Sequence, residues 1–303
     1  MRIVSKDPLG LGQKNVYPLA SNLLCTASPP PSQKGSLESD SRQWLCNLFV
    51  GSRENVPGIS LTLNLALVDS ALQLVPPEIQ SDPQIKKYAA RRMKMPSEVL
   101  LDRAFHHTAM QRLARRRPRL AVEAMGRPDI VHNTLLQVLE TPLNWDNQLR
   151  VFIHTQDDYV ISINPKIRLP KNYIRFIGLI EQLFATKRVP EGGDALMEIE
   201  KGTVQRLIDR VRPIQVLGFS ILGRPTLMRT VAEDIARMVN SLVFIGGFPR
   251  GHFSDRTRRP LNSLFKVDRE SLDAWVVAGR FVYDYEWAIG IAQQRIKSKT
   301  DKP

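Results

Sequence analysis

Cysteine is scarce in this chain: only Cys25 and Cys46 occur among 303 residues, and they match no metal-ligand spacing. A small secreted domain held by disulfides would carry more, so the count favours an intracellular protein. No apolar run approaches the roughly 20 residues of a membrane-spanning helix. The longest run, residues 241–248, suits a buried strand. His106 and His107 are adjacent and would lie on different sides of a helix. We therefore expect neither a membrane span nor a metal site.

Acidic residues are also in short supply: 30 Asp and Glu stand against 43 Lys and Arg, which leaves a net charge of +13. A surplus of this size favours a polyanionic partner, and nucleic acid is the first choice. The densest positive segment is residues 86–119, with eleven Lys or Arg against Glu98 and Asp102. A solvated helical face with a charged loop and an RNA-contacting surface both fit this segment.

The chain divides into three parts by composition. Residues 1–58 are rich in turn-forming and solvating residues without a sustained hydrophobic period, so we predict a poorly ordered leader. A folded domain is expected over residues 59–295, followed by a short basic tail over residues 296–303. The sequence leaves open whether the leader is a lineage-specific extension or follows a misread start codon.

Alternating strand and helix patterns predict an α/β fold. Apolar residues 59–68 indicate a first strand, after which Asp69 and Ser70 are predicted to cap a helix over residues 71–75. Ser97 is a second predicted helix cap. Further predicted strands are residues 150–154 and 159–163, which form a hairpin, and residues 196–200, 215–220, 242–245 and 264–267. Further predicted helices are residues 130–140, 173–184 with Ile174 in its apolar stripe, 204–211, 226–238 and 271–294. Such alternation favours a parallel sheet with helices on both faces.

A glycine-rich turn follows the predicted strand at residues 242–245. Its sequence is GGFPRG, from Gly246 to Gly251. Glycine there lets the backbone approach a ligand without a Cβ in the way, although the spacing differs from the dinucleotide-binding fingerprint. A plain turn that needs a positive φ explains these glycines equally well.

Two sets of charged residues precede predicted helices. Arg127 and Asp129 flank a proline, and from these residues alone Asp129 reads as a helix cap and Arg127 as a surface charge. Arg168, Lys171 and Arg175 stand at i, i+3 and i+7, which aligns three cations along one side of a helix. This stripe could follow the phosphates of a nucleic acid or be a solvated helix face.

Three segments together resemble the nucleolar essential protein family, the pseudouridine N1-methyltransferases of small-subunit ribosomal RNA, in its archaeal form. They are GRPDI at residues 126–130, IRLPKNYIRF at 167–176 and FIGGFPRG at 244–251. The similarity runs over residues 61–286. It implies the SPOUT methyltransferase fold, in which a C-terminal deep trefoil knot departs from the usual rule against knots. It also implies a cytoplasmic protein if archaeal, or a nucleolar one if eukaryotic.

The resemblance implies S-adenosyl-L-methionine as the cofactor, or methyl donor. The residues expected to bind it are Gly246, Gly251, Val267, Asp268, Arg269, Glu270, Ser271 and Leu272. A further loop at residues 217–220 is also expected to belong to this site. Residues 267–272 depart from the Asn-Tyr-Pro-like sequence usual in the family, so we expect main-chain contacts there.

The resemblance assigns the charged residues to RNA. Arg127, held by Asp129, and the cations Arg168, Lys171 and Arg175 are expected to contact the substrate RNA, with Lys171 at a position where the family usually has arginine. A homodimer is also implied. Trp275, Val276 and Phe281 are candidate interface residues, although a helix that faces the core would contain the same ones.

The implied reaction is methylation of a pseudouridine at N1 in small-subunit ribosomal RNA, without a metal, as part of ribosome biogenesis. The sequence identifies no general base, and neither His154 nor Asp157 can be assigned that role. Two other functions stay open. A non-catalytic ribosome-assembly factor would keep the RNA groove, whereas a generic basic RNA-binding protein would use the glycine turn only as structure.

Overall fold

The structure, a computed structural model, describes residues 62–118 and 120–300. The predicted leader and both cysteines lie outside these residues. Among the residues described, no helix is long and apolar enough to cross a membrane. The same residues contain no group of three or more metal-ligating side chains. His106 is buried and His107 is exposed, as predicted for neighbours on a helix.

The described chain forms an eight-stranded sheet with the strand order β4-β5-β3-β2-β1-β7-β6-β8. The strands are β1 (Leu63–Ser70), β2 (Leu149–Thr155), β3 (Tyr159–Ile163), β4 (Arg188–Val189), β5 (Met197–Lys201), β6 (Gln215–Pro225), β7 (Ser241–Gly246) and β8 (Ser263–Lys266). Strands β2, β1, β7, β6 and β8 run parallel. The predicted hairpin is confirmed as β2 and β3, and β3, β5 and β4 pair antiparallel. The sheet is therefore mostly parallel.

Helices connect and cover these strands. They are α1 (Pro77–Gln80), α2 (Pro83–Arg91), α3 (Arg103–Arg116), α4 (Pro128–Leu139), α5 (Pro142–Trp145), α6 (Tyr173–Thr186), α7 (Val204–Val211), α8 (Met228–Ala236), α9 (Asp255–Arg258), α10 (Ala274–Ile289) and α11 (Ile291–Thr300). Asn172 caps α6, since its side chain accepts a hydrogen bond from the Arg175 amide. Proline at the first position of α2 and α4 supplies a suitable φ.

The central strand β1 separates two hydrophobic layers. Leu65 and Leu67 face a core that includes residues of α4, α6, α8 and α10. Ala66 and Val68 face the other layer, where α7 packs. All eight residues of β1 are buried because both faces of the strand are covered. This arrangement confirms the predicted α/β fold with helices on both faces.

Residues 76–125 form a helical insertion with a small core of its own, in which Ile85 and Leu101 are fully buried. The insertion is joined to α6 through Glu181, whose side chain is completely buried. The Glu181 carboxylate accepts hydrogen bonds from Arg92 at 2.8 and 3.1 Å and from Lys94 at 2.6 Å. Two cations thus compensate one buried charge at this joint.

Both predicted helix caps near the start of the domain are wrong. Residues 71–75 are not helical, because Asp69 takes a left-handed φ of 52° and the following chain pairs with the insertion, with a bridge between Leu74 and Leu100. Ser97 lies inside the 3-10 turn Pro96–Glu98. Helix α3 begins instead after Asp102, whose carboxylate accepts a hydrogen bond from the Ala104 amide at 2.7 Å.

Two side-chain predictions and one predicted helix boundary differ from the structure. Ile174, placed in the apolar stripe of α6, is 50% exposed. Phe281, a candidate interface residue, is fully buried and its ring lies 5.2 Å from that of Phe219. Gly290, with φ of 71°, ends α10. Helix α11 then runs on to Thr300, through most of the predicted tail.

Candidate functional site

Three loops of the parallel half of the sheet enclose a cleft of about 320 Å³. They are the irregular part of β6, the loop after β7 and the loop after β8. Ligands of parallel α/β sheets bind where loops follow the carboxyl ends of strands. The volume lies at the lower end of the range for small-molecule sites, which is about 300 to 1,000 Å³.

The middle loop, residues 246–251, needs glycine for two separate reasons. A Cβ on Gly247 would lie 2.1 Å from the Ser70 hydroxyl oxygen, so only glycine lets this loop pack against the end of β1. The Gly247 amide donates to the Val68 carbonyl at 2.9 Å. Gly251 has open space around it but a φ of 98°, which side-chain-bearing residues rarely adopt. Both Gly246 and Gly251 line the cleft.

The last loop, residues 267–272, supplies the wall after β8. The predicted residues that line the cleft here are Val267, Asp268, Glu270, Ser271 and Leu272. Arg269 is outside the lining, with a side chain that is 88% exposed. The Asp268 carboxylate accepts a hydrogen bond from the Glu270 amide at 3.0 Å and closes the turn on itself.

The first loop is part of strand β6, where Phe219, Ser220 and Ile221 line the cleft. The pairing of β6 with β8 is irregular between Phe219 and Arg224, so the chain bulges at this point. Of the predicted residues 217–220, Phe219 and Ser220 line the cleft. The sequence analysis missed Ile221, Phe248 and Asp273, although each directly adjoins or lies within a predicted loop.

Arg127 lines the same cleft from the start of α4. Its guanidinium donates two hydrogen bonds to the Asp129 carboxylate, from Nε at 2.8 Å and from a terminal nitrogen at 2.7 Å. These bonds raise the pKa of Arg127. Asp129 therefore orients Arg127 and is not the residue at the N-cap position of α4, which Arg127 itself occupies.

A second polar contact links the cleft rim to α6. The Tyr173 hydroxyl donates to the Asp102 carboxylate at 2.6 Å. Burial and this carboxylate raise the pKa of Tyr173, so the hydroxyl keeps its proton at neutral pH. Burial also raises the pKa of Asp102. Arg127 and Asp129 lie close enough to affect this pKa, which the charge of Asp129 raises and that of Arg127 lowers. The sequence analysis missed this contact, since 71 positions separate its two residues.

Arg168, Lys171 and Arg175, the cation stripe, are exposed at and before the start of α6. None of the three pairs with an acidic side chain in the part of the chain that the structure describes. Tyr173 follows Lys171 by two positions and is fixed to Asp102, so the stripe starts beside the Arg127 rim of the cleft. Unpaired cations on a fixed helix end are available to phosphate oxygens.

The cleft suits a small molecule that is recognised mainly by backbone groups. Gly246 and Gly251 leave main chain open to it, and Phe219, Phe248 and Trp275 supply apolar surface. Trp275, which was a candidate interface residue, is half-buried in this lining. These features fit the adenosine and sulfonium parts of S-adenosyl-L-methionine, which need main-chain hydrogen bonds and an apolar wall.

Comparisons with known proteins agree with this geometry. The profile of the family described as EMG1/NEP1 methyltransferase matches residues 65–286. Ribosomal RNA small subunit methyltransferase Nep1 of Pyrococcus furiosus is 39% identical over 75% of this chain and 97% of its own length. The protein of the same name from Thermococcus kodakarensis is 40% identical over 76% of this chain and its full length. That from Pyrobaculum neutrophilum is 42% identical over 75% of this chain and 99% of its own.

A solved structure shares the fold. The crystal structure of Archaeoglobus fulgidus Nep1 bound to S-adenosylhomocysteine superposes with a TM-score of 0.66 at 33% identity. The match covers 76% of this chain and 99% of that one. The matched residues of the family profile include those that build the cleft and the cation stripe, and the chain belongs to the EMG1/NEP1 methyltransferase family.

Proposed function

We propose that this protein methylates small-subunit ribosomal RNA with S-adenosyl-L-methionine, at N1 of a pseudouridine, during ribosome biogenesis. The observation that carries the proposal is the position of Arg127, which lines the cleft while Tyr173 and Asp102 connect the same rim to the cation stripe. A donor site and an RNA surface therefore meet at one edge. The S-adenosylhomocysteine in the related archaeal structure supports the choice of donor.

The donor would lie against the main chain of the loops after β7 and β8, at Gly246, Gly251 and residues 267–272. When bound there, it supplies a methyl group on a positively charged sulfur, which N1 of pseudouridine accepts as it gives up its proton. Holding the two reacting atoms together supplies most of the acceleration that such a transfer needs. Phe219, Phe248 and Trp275 help to keep water out of the cleft.

The RNA would be held by side chains. Arg127, fixed by Asp129, directs its guanidinium toward the nucleotide that enters the cleft, and the cation stripe holds neighbouring phosphates. A base inside a stem cannot reach the cleft, so the target nucleotide must turn out of its stack. An arginine fixed at the rim favours that extruded arrangement.

We further propose the deep trefoil knot and the homodimer that are typical of SPOUT methyltransferases. Family membership supports both. Trp275 and Val276, each half-buried at the start of α10, are the candidate contacts between protomers, whereas Phe281 is excluded by its place in the core. A cytoplasmic location in an archaeal-type cell, or a nucleolar one in a eukaryotic cell, also stays a prediction.

The test is a methylation assay on the full chain. A small-subunit ribosomal RNA hairpin with one pseudouridine in its loop is incubated with a donor that carries a labelled methyl group, and nucleosides are analysed by mass spectrometry. We expect labelled N1-methylpseudouridine, and none from the same hairpin with uridine at that position. RNA binding without methylation would favour the non-catalytic assembly factor. Loss of donor binding as well would favour a generic RNA-binding protein.

A further inference from the structure

A second cavity, of about 190 Å³, lies on the other side of the loop after β7. Phe248, Arg250 and His252 line both this cavity and the donor cleft, so one loop separates the two. Ala124, two residues before the Gly126 and Arg127 turn, lines the opposite wall. The cavity thus adjoins both the proposed donor site and the proposed RNA rim, but the methyl transfer proposed above does not use it.

His154 is a buried side chain without a complete set of partners in this cavity. It is 4% exposed, and burial lowers its pKa, so the ring is neutral near pH 7. Its Nε2 lies 3.3 Å from the Asp158 carboxylate and must carry the proton, since a carboxylate can only accept. Nδ1 is then a buried acceptor, and it has no hydrogen-bond partner among the described residues.

The neighbour of this nitrogen cannot satisfy it. Asp69 Oδ1 lies 3.9 Å from His154 Nδ1, and both atoms are acceptors. The Asp69 carboxylate already receives hydrogen bonds from the Ser254 amide and hydroxyl and from the Thr257 hydroxyl. A buried acceptor that lacks a donor destabilises the folded chain, because it has lost its hydrogen bonds to water. The cavity therefore has a place for a ligand that brings an N–H group to His154.

The rim of the cavity carries positive charge, whereas the interior presents hydrogen-bond acceptors. Arg250 and Arg256 are exposed there, and Arg256 donates to Asp158 at 2.9 Å. Phe248 forms part of the wall. A phosphate alone does not suit the interior, because Asp69, Asp158 and neutral His154 all present acceptors. These features match a nucleotide. Its phosphate would stay beside the cations of the rim, while its base would enter the cavity, stack on the aromatic wall and donate to the acceptors inside.

We propose that this cavity binds one base of the RNA strand next to the methylated nucleotide, a base that donates an N–H group to Nδ1 of His154. The inference rests on the proposed RNA substrate and adds a position at which the RNA is held through a base as well as through its phosphates. The size of the cavity limits the guest to a single base. Uracil, cytosine, adenine and guanine each carry such a donor on the pairing edge, and the rim arginines contribute without distinguishing among them.

The test is a base-removal scan combined with substitutions in the protein. Hairpins that contain the pseudouridine and one abasic nucleotide at each flanking position in turn are titrated by fluorescence anisotropy. We expect one flanking position at which base removal weakens binding to the wild-type chain about tenfold, in line with the loss of roughly 1.4 kcal/mol of stacking and hydrogen bonding. His154→Leu should bind the intact hairpin about tenfold more weakly, and base removal at that position should then cost nothing more.

Two further variants make the scan decisive. Thr203→Phe would place a large side chain at the cavity and block its mouth. The Thr203 side chain makes no capping hydrogen bond to α7, so this change removes none. The variant should therefore reproduce the effect of His154→Leu, even if His154→Leu folds poorly. His107→Leu, a change of an exposed histidine on α3, is the matched control and should behave like the wild type. Affinity for S-adenosyl-L-methionine should stay unchanged in all three, as measured by calorimetry.

The outcomes separate this inference from the proposed function. If the wild type methylates the hairpin but no flanking position couples to His154 or Thr203, the cavity does not bind a base and the proposed function stands. Coupling to a phosphate substitution in place of base removal would also overturn the inference. If the wild type neither binds nor methylates the hairpin, both proposals fail.

Discussion

The donor cleft and the cation stripe meet at Arg127 but are built in different ways. The cleft is a backbone structure, in which Gly247 packs against Ser70 and Gly251 takes a φ of 98°. The stripe is a set of exposed side chains on the end of α6, fixed indirectly by Tyr173 and Asp102. The side chains of the loop after β8 can therefore differ from those usual in the family, as long as the backbone follows the same course. A cation of the stripe has no such freedom, because its charge itself would make the proposed contact with a phosphate.

This contrast predicts where single substitutions have large and small effects. A residue that alters the path of a loop changes all of its main-chain contacts together, whereas a lost cation removes one contact among several. Donor binding should therefore fail sharply with changes at one or two glycines. RNA binding should decline in steps.

The largest effect is expected from Gly251→Val. A branched residue at a φ of 98° is strained by about 1 to 3 kcal/mol, so we expect roughly 5- to 150-fold weaker binding of S-adenosyl-L-methionine. RNA affinity should change little. Calorimetry with the donor measures the effect, and Gly192→Val, at an open glycine without a positive φ, is the matched control. Unchanged donor affinity in a folded Gly251→Val protein would remove this loop from the donor site.

Asp129→Ala tests the Arg127–Asp129 pair, which lies where the two regions meet. Alanine frees the Arg127 guanidinium, and because hydrogen bonds to charged groups contribute about 1.5 to 3 kcal/mol when buried, we expect up to about tenfold weaker RNA binding for this half-exposed pair. Asp129→Asn should lose less, since an amide can still accept one hydrogen bond. Equal losses in both variants, measured by anisotropy, would show that charge and not orientation matters.

The stripe variants Arg168→Ala, Lys171→Ala and Arg175→Ala should each weaken RNA binding a few-fold. Each should also reduce the slope of log affinity against log salt by up to about one unit, as expected for one lost phosphate contact. Donor affinity should be unchanged. Arg237→Ala, which removes an exposed cation at the end of α8, is the control. If all three variants keep the wild-type affinity and salt slope, the stripe is only a solvated helix face.

Tyr173→Phe should have a smaller effect on RNA, because it loosens the start of α6 without removing a cation. The lost hydrogen bond leaves the Asp102 carboxylate less satisfied, which we expect to lower the free energy of unfolding by about 1 to 3 kcal/mol. A urea titration measures this loss. Asp102→Asn should lose less stability, since its oxygen can still accept from the Ala104 amide while its NH2 group donates to the Tyr173 hydroxyl oxygen. A larger loss in Asp102→Asn would contradict the assigned hydrogen bonds.

The smallest effect is expected from deletion of residues 1–55. All residues that line the cleft lie at Arg127 or beyond, and the family profile begins at residue 65. Donor affinity and oligomeric state should therefore match those of the full chain in calorimetry and light scattering, although RNA affinity could fall modestly if the leader acts as a tether. A changed donor affinity would contradict this prediction.

Sequence periodicity located most of the fold. Helix α7 has the predicted bounds, and the hairpin of β2 and β3 was identified from two short apolar runs and the turn between them. The failures arose where distant contacts decide the local structure. Residues 71–75 have helix-forming side chains but pair with the strand-like segment at Leu100, which no local pattern reveals.

The site shows the same limit. Family resemblance identified seven cleft-lining residues in the loops after β7 and β8, and local spacing identified the stripe. Neither the resemblance nor the spacing could identify the hydrogen bond between Tyr173 and Asp102. They also could not identify His154 Nδ1 as a buried acceptor without a partner among the described residues. Both depend on side chains that only the folded sheet brings together.

The buried carboxylate of Glu181 sets how the helical insertion moves. To separate the insertion from α6, the chain must either expose this carboxylate together with Arg92 and Lys94 or leave a charge without its partners, at a cost of about 3 to 5 kcal/mol for such a break. Local opening events of low free energy are therefore expected at the exposed turns and not at this joint. An RNA that touched both the insertion and α6 would meet two surfaces joined at Glu181, and the joint would set the spacing between its contacts before it binds.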